Sequence, residues 1–151
     1  IYGRVCALFG GDGPPTPEAV LHASPEALRG AGLSRAKTAA VRDLAAKTLD
    51  GTVPSIDVLH AMADDEVVER LVQVRGVGPW TAEMLLIFWM GRPDVLPVTD
   101  LGVRKGFMYT YGLDDLPTAA DLLAHGERWR PYRSVASWYF WRAVDMGKPE
   151  V

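Results

Sequence analysis

Apolar side chains recur along this chain at intervals of three and four residues, and no run alternates convincingly, so helices are expected and strands are not. Ile1, Val5, Leu8 and Phe9 mark an amphipathic helix over 1–9, stopped by Gly10-Gly11 and followed by a Pro/Gly loop to Pro17. Ser24 precedes Pro25, a capping hydroxyl before a proline whose missing N–H costs nothing in a first turn, which predicts a short helix there. Gly32-Leu-Ser34 introduces a longer helix over 34–49, with Ala39, Val41, Leu44, Ala45 and Leu49 as its apolar stripe. A segment over about 55–62 is expected to turn Ile56, Leu59 and Met62 inward. Asp64 is placed to cap 65–72, where Val67, Val68, Leu71 and Val72 keep the helical period.

Beyond the glycines of Gly76-Val-Gly78 the pattern resumes over 79–90 and stops at Gly91 and Pro93. Thr99 or Asp100 starts a helix to about Tyr109, Thr118 caps 119–125, and Pro131 begins a last helix to about Met146. About nine helices joined by short loops, with no linker between them, predict a single all-α domain over 1–151, a compact multi-helix fold. The chain opens on Ile1 inside an apolar helical pattern, so an upstream segment is expected.

Composition narrows the classes. At 151 residues and 48% hydrophobic, the chain has enough apolar surface for a real core and reads as an ordinary soluble globular protein. Its most apolar stretch, Leu85 to Met90, is far short of the ~18 residues a membrane helix needs. Cys6 is the single cysteine, which excludes an internal disulfide and a cysteine-ligated cluster, and it is expected as a small buried hydrophobe. His22, His60 and His125 show no metal-ligand spacing. The net charge of −3 argues mildly against a surface dominated by phosphate contacts, yet cations gather at Arg75, at Arg104-Lys105 and along Arg128 to Arg133.

Three features carry chemistry. In Leu71-x2-Val74-x-Gly76-x-Gly78-x2-Thr81-Ala82, glycines permit a tight turn and leave N–H groups uncovered beside a helix that begins at Pro79. Such amides at a positive helix end suit a phosphate, with Val74 and Val77 packing the turn; an ordinary helix–helix turn with a glycine cap is the plainer reading. Asp100 follows 18 residues after Ala82, in Pro97-Val-Thr-Asp100-Leu-Gly-Val-Arg104. It reads as an N-cap, and a carboxylate favoured there by the helix dipole is also what a cationic, sugar-like transition state requires. Trp80, Trp89, Trp129, Trp138 and Trp141, with Tyr132 and Tyr139, are many aromatics for a short chain. Core packing explains some of them, and flat walls for an extrahelical base explain others, Trp80 and Trp141 first, with Met84 four residues from Trp80.

Taken together, these motifs resemble the helix-hairpin-helix (HhH-GPD) DNA glycosylase superfamily, in its 3-methyladenine DNA glycosylase II branch. Gly76-Val-Gly-Pro-Trp-Thr-Ala82 is similar to the family hairpin, which would span about 65–90. Leu96-Pro-Val-Thr-Asp-Leu-Gly-Val-Arg-Lys105 is similar to its loop and catalytic helix, and Glu127 to Ala136 followed by Trp141 to its closing segment. Gly32-Leu-Ser-Arg-Ala-Lys37 resembles a smaller turn between early helices. The resemblance implies base-excision repair by a monofunctional glycosylase that flips out alkylated purines, 3-methyladenine and 7-methylguanine. It implies Asp100 as the catalytic carboxylate, Trp80, Trp141 and Met84 around the base, and Gly76, Val77, Gly78, Thr81 and Arg104 on DNA. No cofactor is required, although carbonyls of Val72, Val74 and Val77 are placed where relatives hold Na+ or K+. Bifunctional members carry a lysine nucleophile where Trp80 stands, so no Schiff base and no lyase activity are expected. The implied partner is double-stranded DNA with alkylated bases, bound by a monomer with no membrane association, in the cytoplasm on the nucleoid of a bacterium; the family's wedge side chain would lie before Ile1. A non-catalytic helix-hairpin-helix DNA-binding module, or a glycosylase for mismatched or oxidised bases, are the alternatives.

Overall fold

A computed structural model describes residues 1–11 and 13–147. Among them are ten α-helices, a 3-10 turn at Glu127–Trp129 and no strand, so the fold is all-α. The helices are α1 (Tyr2–Ala7), α2 (Pro17–His22), α3 (Pro25–Gly30), α4 (Arg35–Leu49), α5 (Ile56–Ala61), α6 (Asp64–Leu71), α7 (Pro79–Phe88), α8 (Leu101–Tyr111), α9 (Ala119–Gly126) and α10 (Arg133–Met146). Among the described residues no helix is long and apolar enough to cross a membrane. Contacts gather the chain into two compact units, one ending at Pro79 and one beginning at Trp80.

In the first unit α4 packs against α2 and α3. Ser34 caps α4 through Lys37 N–H at 3.2 Å, as Ser24 caps α3 through Ala27 N–H at 3.1 Å. Arg42 on α4 donates to the carbonyls of Val20, Leu21 and Ala23 at 3.3, 3.2 and 2.7 Å, satisfying the orphan acceptors at the end of α2. The core holds Val20, Leu28, Ala45, Leu59, Val67, Leu71 and Val74, with Val5 and Cys6 from α1. Asp43 then fixes the glycine turn to α4: its Oδ2 accepts Arg75 N–H at 2.7 Å and Lys47 Nζ at 2.7 Å. These donors, the Arg75 amide foremost, hold the Asp43 carboxyl below the usual carboxylate range.

The second unit is built on α8 against α10. Leu96, Val103, Phe107, Leu122 and Phe140 form its core, with Trp129 and Trp141 packed on it. Gly106 makes the crossing close, since a Cβ there would lie 2.0 Å from the Phe140 carbonyl oxygen. The loop before α8 is pinned to α10 by Ser134, whose Oγ accepts Val95 N–H at 2.9 Å and donates to the Arg92 carbonyl at 2.6 Å. Asp94 receives Arg133 Nε at 2.6 Å in the same place. This lattice sets where the chain enters α8, and hence where Asp100 stands.

Several local expectations need correction. Helix α2 was not foreseen, although Thr16 caps it before Pro17 in the way Ser24 does before Pro25. Leu44 and Leu49 are exposed, because α2 and α3 cover the side of α4 that carries Thr38 and Ala45. Asp64 lies inside α6 rather than capping it; Ala63 is the cap, and its N–H donates to Glu66 Oε2 at 3.1 Å. Helix α10 begins at Arg133, two residues after Pro131, since the 3-10 turn and its exit occupy the approach.

Candidate active site

Asp100 caps α8, with Oδ1 accepting Val103 N–H at 2.7 Å. Both expected indoles converge on the same carboxylate: Trp141 Nε1 donates to Oδ1 at 2.9 Å and Trp80 Nε1 to Oδ2 at 2.6 Å. Three N–H donors therefore fix its position and orientation. α7 supplies Trp80 from its first turn, α10 supplies Trp141 from its middle, and the α8 N-terminus supplies the acid. Trp80 remains 49% exposed, so its ring is held by one edge while much of its face meets solvent.

Sequence reasoning missed three neighbours of this cluster. Gly102 leaves the gap through which the Trp141 indole reaches Asp100; a Cβ would lie 2.8 Å from Trp141 Cδ1 and 3.0 Å from Asp100 Oδ1. Its signal was available, a glycine in a first helical turn with Gly106 one turn on. Phe88 stacks on Trp141 with centroids 5.5 Å apart and planes 29° apart. It continues the row Trp80, Met84, Phe88 at spacings of four on α7. Glu83 lies one turn from Trp80; burial, and then the charge of Asp100, push its carboxyl up to about 7. Its Oε2 is buried without a hydrogen-bond partner among the described residues.

The remaining candidates make none of these bonds to Asp100. Met84 is half-buried on α7, Thr81 is exposed near its start, and Arg104 is half-buried, with Nε donating to the Pro117 carbonyl at 2.9 Å. Trp138 is 49% exposed and makes a ring-edge contact with Tyr139, while Trp89 is exposed and Trp129 belongs to the core cluster. In the first unit, Gly76 adopts φ +78°, which a side chain rarely allows. Gly78 needs no such freedom, and a Cβ there would meet nothing within 4 Å. Val74 is buried and Val77 half-buried, as packing of the turn requires. Among the described residues no group of three or more His, Cys, Asp or Glu is arranged to hold a metal.

Residues 1–131 match the HhH-GPD superfamily of base excision DNA repair proteins. The chain belongs to this superfamily. The HhH-GPD chain is 36% identical to DNA-3-methyladenine glycosylase 1 of Schizosaccharomyces pombe, over 99% of its own length and 67% of that protein's. It is 31% identical to DNA-3-methyladenine glycosylase 2 of Escherichia coli, over 93% of its own length and 49% of the relative's. Among solved structures it is similar to the S. pombe 3-methyladenine DNA glycosylase Mag1 in complex with abasic DNA, with a TM-score of 0.85 and 33% identity, covering 99% of this chain and 72% of that one. It thus spans between 49% and 72% of the relatives named.

Proposed function

We propose that this HhH-GPD chain is the catalytic region of a monofunctional DNA glycosylase that releases alkylated purines. The carrying observation is the carboxylate of Asp100, tethered at both oxygens by the indoles of Trp80 and Trp141. The relatives named for 3-methyladenine support this reading of the substrate. In the proposed reaction a methylated purine, already cationic, is rotated out of the duplex and lodges against the exposed aromatic row beside Asp100. The N-glycosidic bond breaks with its electron pair passing to the base, which leaves neutral, while the sugar becomes oxocarbenium-like. Asp100 stabilises that cation at fixed range, water adds at the sugar carbon, and one proton is released. Trp80 offers no amine, so no covalent sugar intermediate forms there.

DNA would be held by the turn of Gly76, Val77 and Gly78. Neither packing nor dihedral demands glycine at 78, which fits a surface shaped for a phosphate approaching from outside. In the second unit Thr81 and Arg104 are candidates for phosphate contacts of their own, Arg104 through the nitrogens left beyond its bond to Pro117. A monovalent cation would be held by the carbonyls of Val72, Val74 and Val77; the Val74 carbonyl accepts Val77 N–H at 3.0 Å and keeps a second lone pair for it. Such a cation, when bound, adds positive charge next to a backbone phosphate. The same proposal has the protein act as a monomer, in the cytoplasm, on nucleoid DNA.

The test is to incubate the protein with methylated duplex DNA and identify free bases by chromatography. Release of 3-methyladenine is expected, with Asp100→Asn abolishing it while binding to abasic DNA persists. Turnover by Asp100→Asn near the unsubstituted rate would overturn the role given to the carboxylate. No free base from the unsubstituted chain would overturn the activity itself.

A further inference from the structure

A cleft of about 580 Å³ in the first unit, between α3 and α4, is lined by Arg29, Arg35, Arg42 and Arg75, with Glu26 and Asp43 as its acids. Four arginines against two carboxylates leave +2 in a chain whose net charge is −3. The free positive charge is better placed than the sum suggests. Asp43 is already met by Lys47 Nζ and by a backbone amide, and Arg42 is committed to the carbonyls ending α2. Arg29, Arg35 and Arg75 are exposed, and their guanidinium groups have no hydrogen-bond or ion-pair partner among the described residues. On the wall of the same cleft Thr38 is only 4% exposed, and its Oγ1 is buried with no partner among the described residues. A buried hydroxyl left unpaired is costly, so its place beside three unpaired guanidinium groups suits a ligand bearing acceptor oxygens.

We propose that this cleft is a second backbone-phosphate site, which holds the DNA strand apart from the glycine turn. Guanidinium forks match phosphate oxygens in pairs, and the Thr38 hydroxyl supplies a further donor at the cleft wall. The cleft and the turn share one support. Arg75 immediately precedes Gly76, whose added Cβ would contact Ala40 of α4 at 3.6 Å, so a strand lying along α4 could reach both. The volume far exceeds one small anion, and this favours a phosphate within a chain over a free one. The proposal rests on DNA being the partner, but not on catalysis.

Binding of the full chain to an unmodified duplex is measured against NaCl concentration for the unsubstituted protein, the Arg29→Gln/Arg35→Gln double variant and Thr38→Val. Each phosphate that is no longer neutralised lowers the slope of log affinity against log salt by about 0.9, so the double variant is expected to lose about one unit of slope. Thr38→Val, which deletes only an unpaired hydroxyl, is expected to bind several-fold more weakly while melting no lower than the unsubstituted chain. An unchanged slope in the double variant, with Thr38→Val binding normally, overturns the proposal. Saturation of the arginine side-chain signals by inorganic phosphate, without any change of slope on DNA, also overturns it by assigning the cleft to a free anion. Base release is scored separately on methylated DNA. A chain that binds duplex through the cleft but frees no base refutes the glycosylase reading alone, and one that frees base with an unaltered slope refutes the cleft alone.

Discussion

Replacing Glu83 by glutamine removes a carboxyl whose charge the fold resists. Its proton is held up to about 7, against an ordinary value of 4.5, by burial and then by the charge of Asp100. At about 1.36 kcal/mol per pH unit that interval is worth about 3.4 kcal/mol as a ceiling. Glu83 is half-buried, and solvent on its open side screens part of that, so a cost on the order of 1–2 kcal/mol is the working figure. The sign follows from which form the fold prefers. A raised carboxyl pKa favours the neutral acid in the native state, so the penalty is absent below about 4.5, grows between 4.5 and 7, and is complete above 7. Glutamine is neutral throughout. The melting temperature of Glu83→Gln minus that of the unsubstituted chain should therefore be near zero at about pH 4.5 and rise to roughly 2–8 °C at about pH 8, using 2–4 °C per kcal/mol for this size. Thermal melts in a pH series, with both proteins in the same buffers, read this difference. A difference that stays flat across the series, or falls with pH, would refute the reasoning.

Gly102→Ala should cut base release about 10- to 100-fold, because the added Cβ displaces the Trp141 indole from Asp100 and a hydrogen bond to a charged group is worth roughly 1.5–3 kcal/mol. Single-turnover rates check this, and in a Trp141→Phe background the alanine should cost little more; an additive loss would mean that the indole is not the route. Gly106→Ala should destabilise the chain by more than about 3 kcal/mol, since its Cβ would meet backbone atoms of Phe140 at 2.0–2.6 Å and α8 must retreat from α10. Urea unfolding with an unchanged midpoint would contradict that close crossing.

Much of the helix order was legible because capping chemistry is local. Ser24, Ser34, Asp100 and Thr118 each accept from a backbone N–H three residues on, as their positions before apolar periods predict. The same rule places α2 at Thr16-Pro17, where the run of glycine and proline just before it masks the cap. Burial was less legible, because period alone does not say which side of a helix gains neighbours; α4 buries Thr38 and leaves Leu44 exposed. Within the site, the residue types Asp100, Trp80 and Trp141 were readable. Their connection by indole N–H groups was not, for it depends on how three helices meet. Glu83 was invisible for the same reason: desolvation and a neighbouring charge are properties of the folded surroundings, not of a glutamate in a helical pattern.

Trp80 shows why one position could separate two chemistries in this superfamily. A primary amine beside Asp100 can attack the sugar carbon and hold it covalently, whereas an indole N–H can only donate. Here that donor satisfies Asp100 Oδ2 at 2.6 Å, while the second indole and the Val103 amide take Oδ1. In the proposed reaction this leaves a carboxylate too restrained to swing onto the sugar, yet fixed where positive charge develops, so its contribution is preorganised electrostatics rather than covalent attachment. The leaving group makes this sufficient. A methylated purine departs neutral from a cationic glycoside and needs little protonation, whereas an unmodified base would leave as an anion unless an acid protonated it. Selectivity for alkylated purines would then arise at the bond-breaking step, from the lability of the leaving group, because Asp100 meets the same positive charge on the sugar whichever base departs.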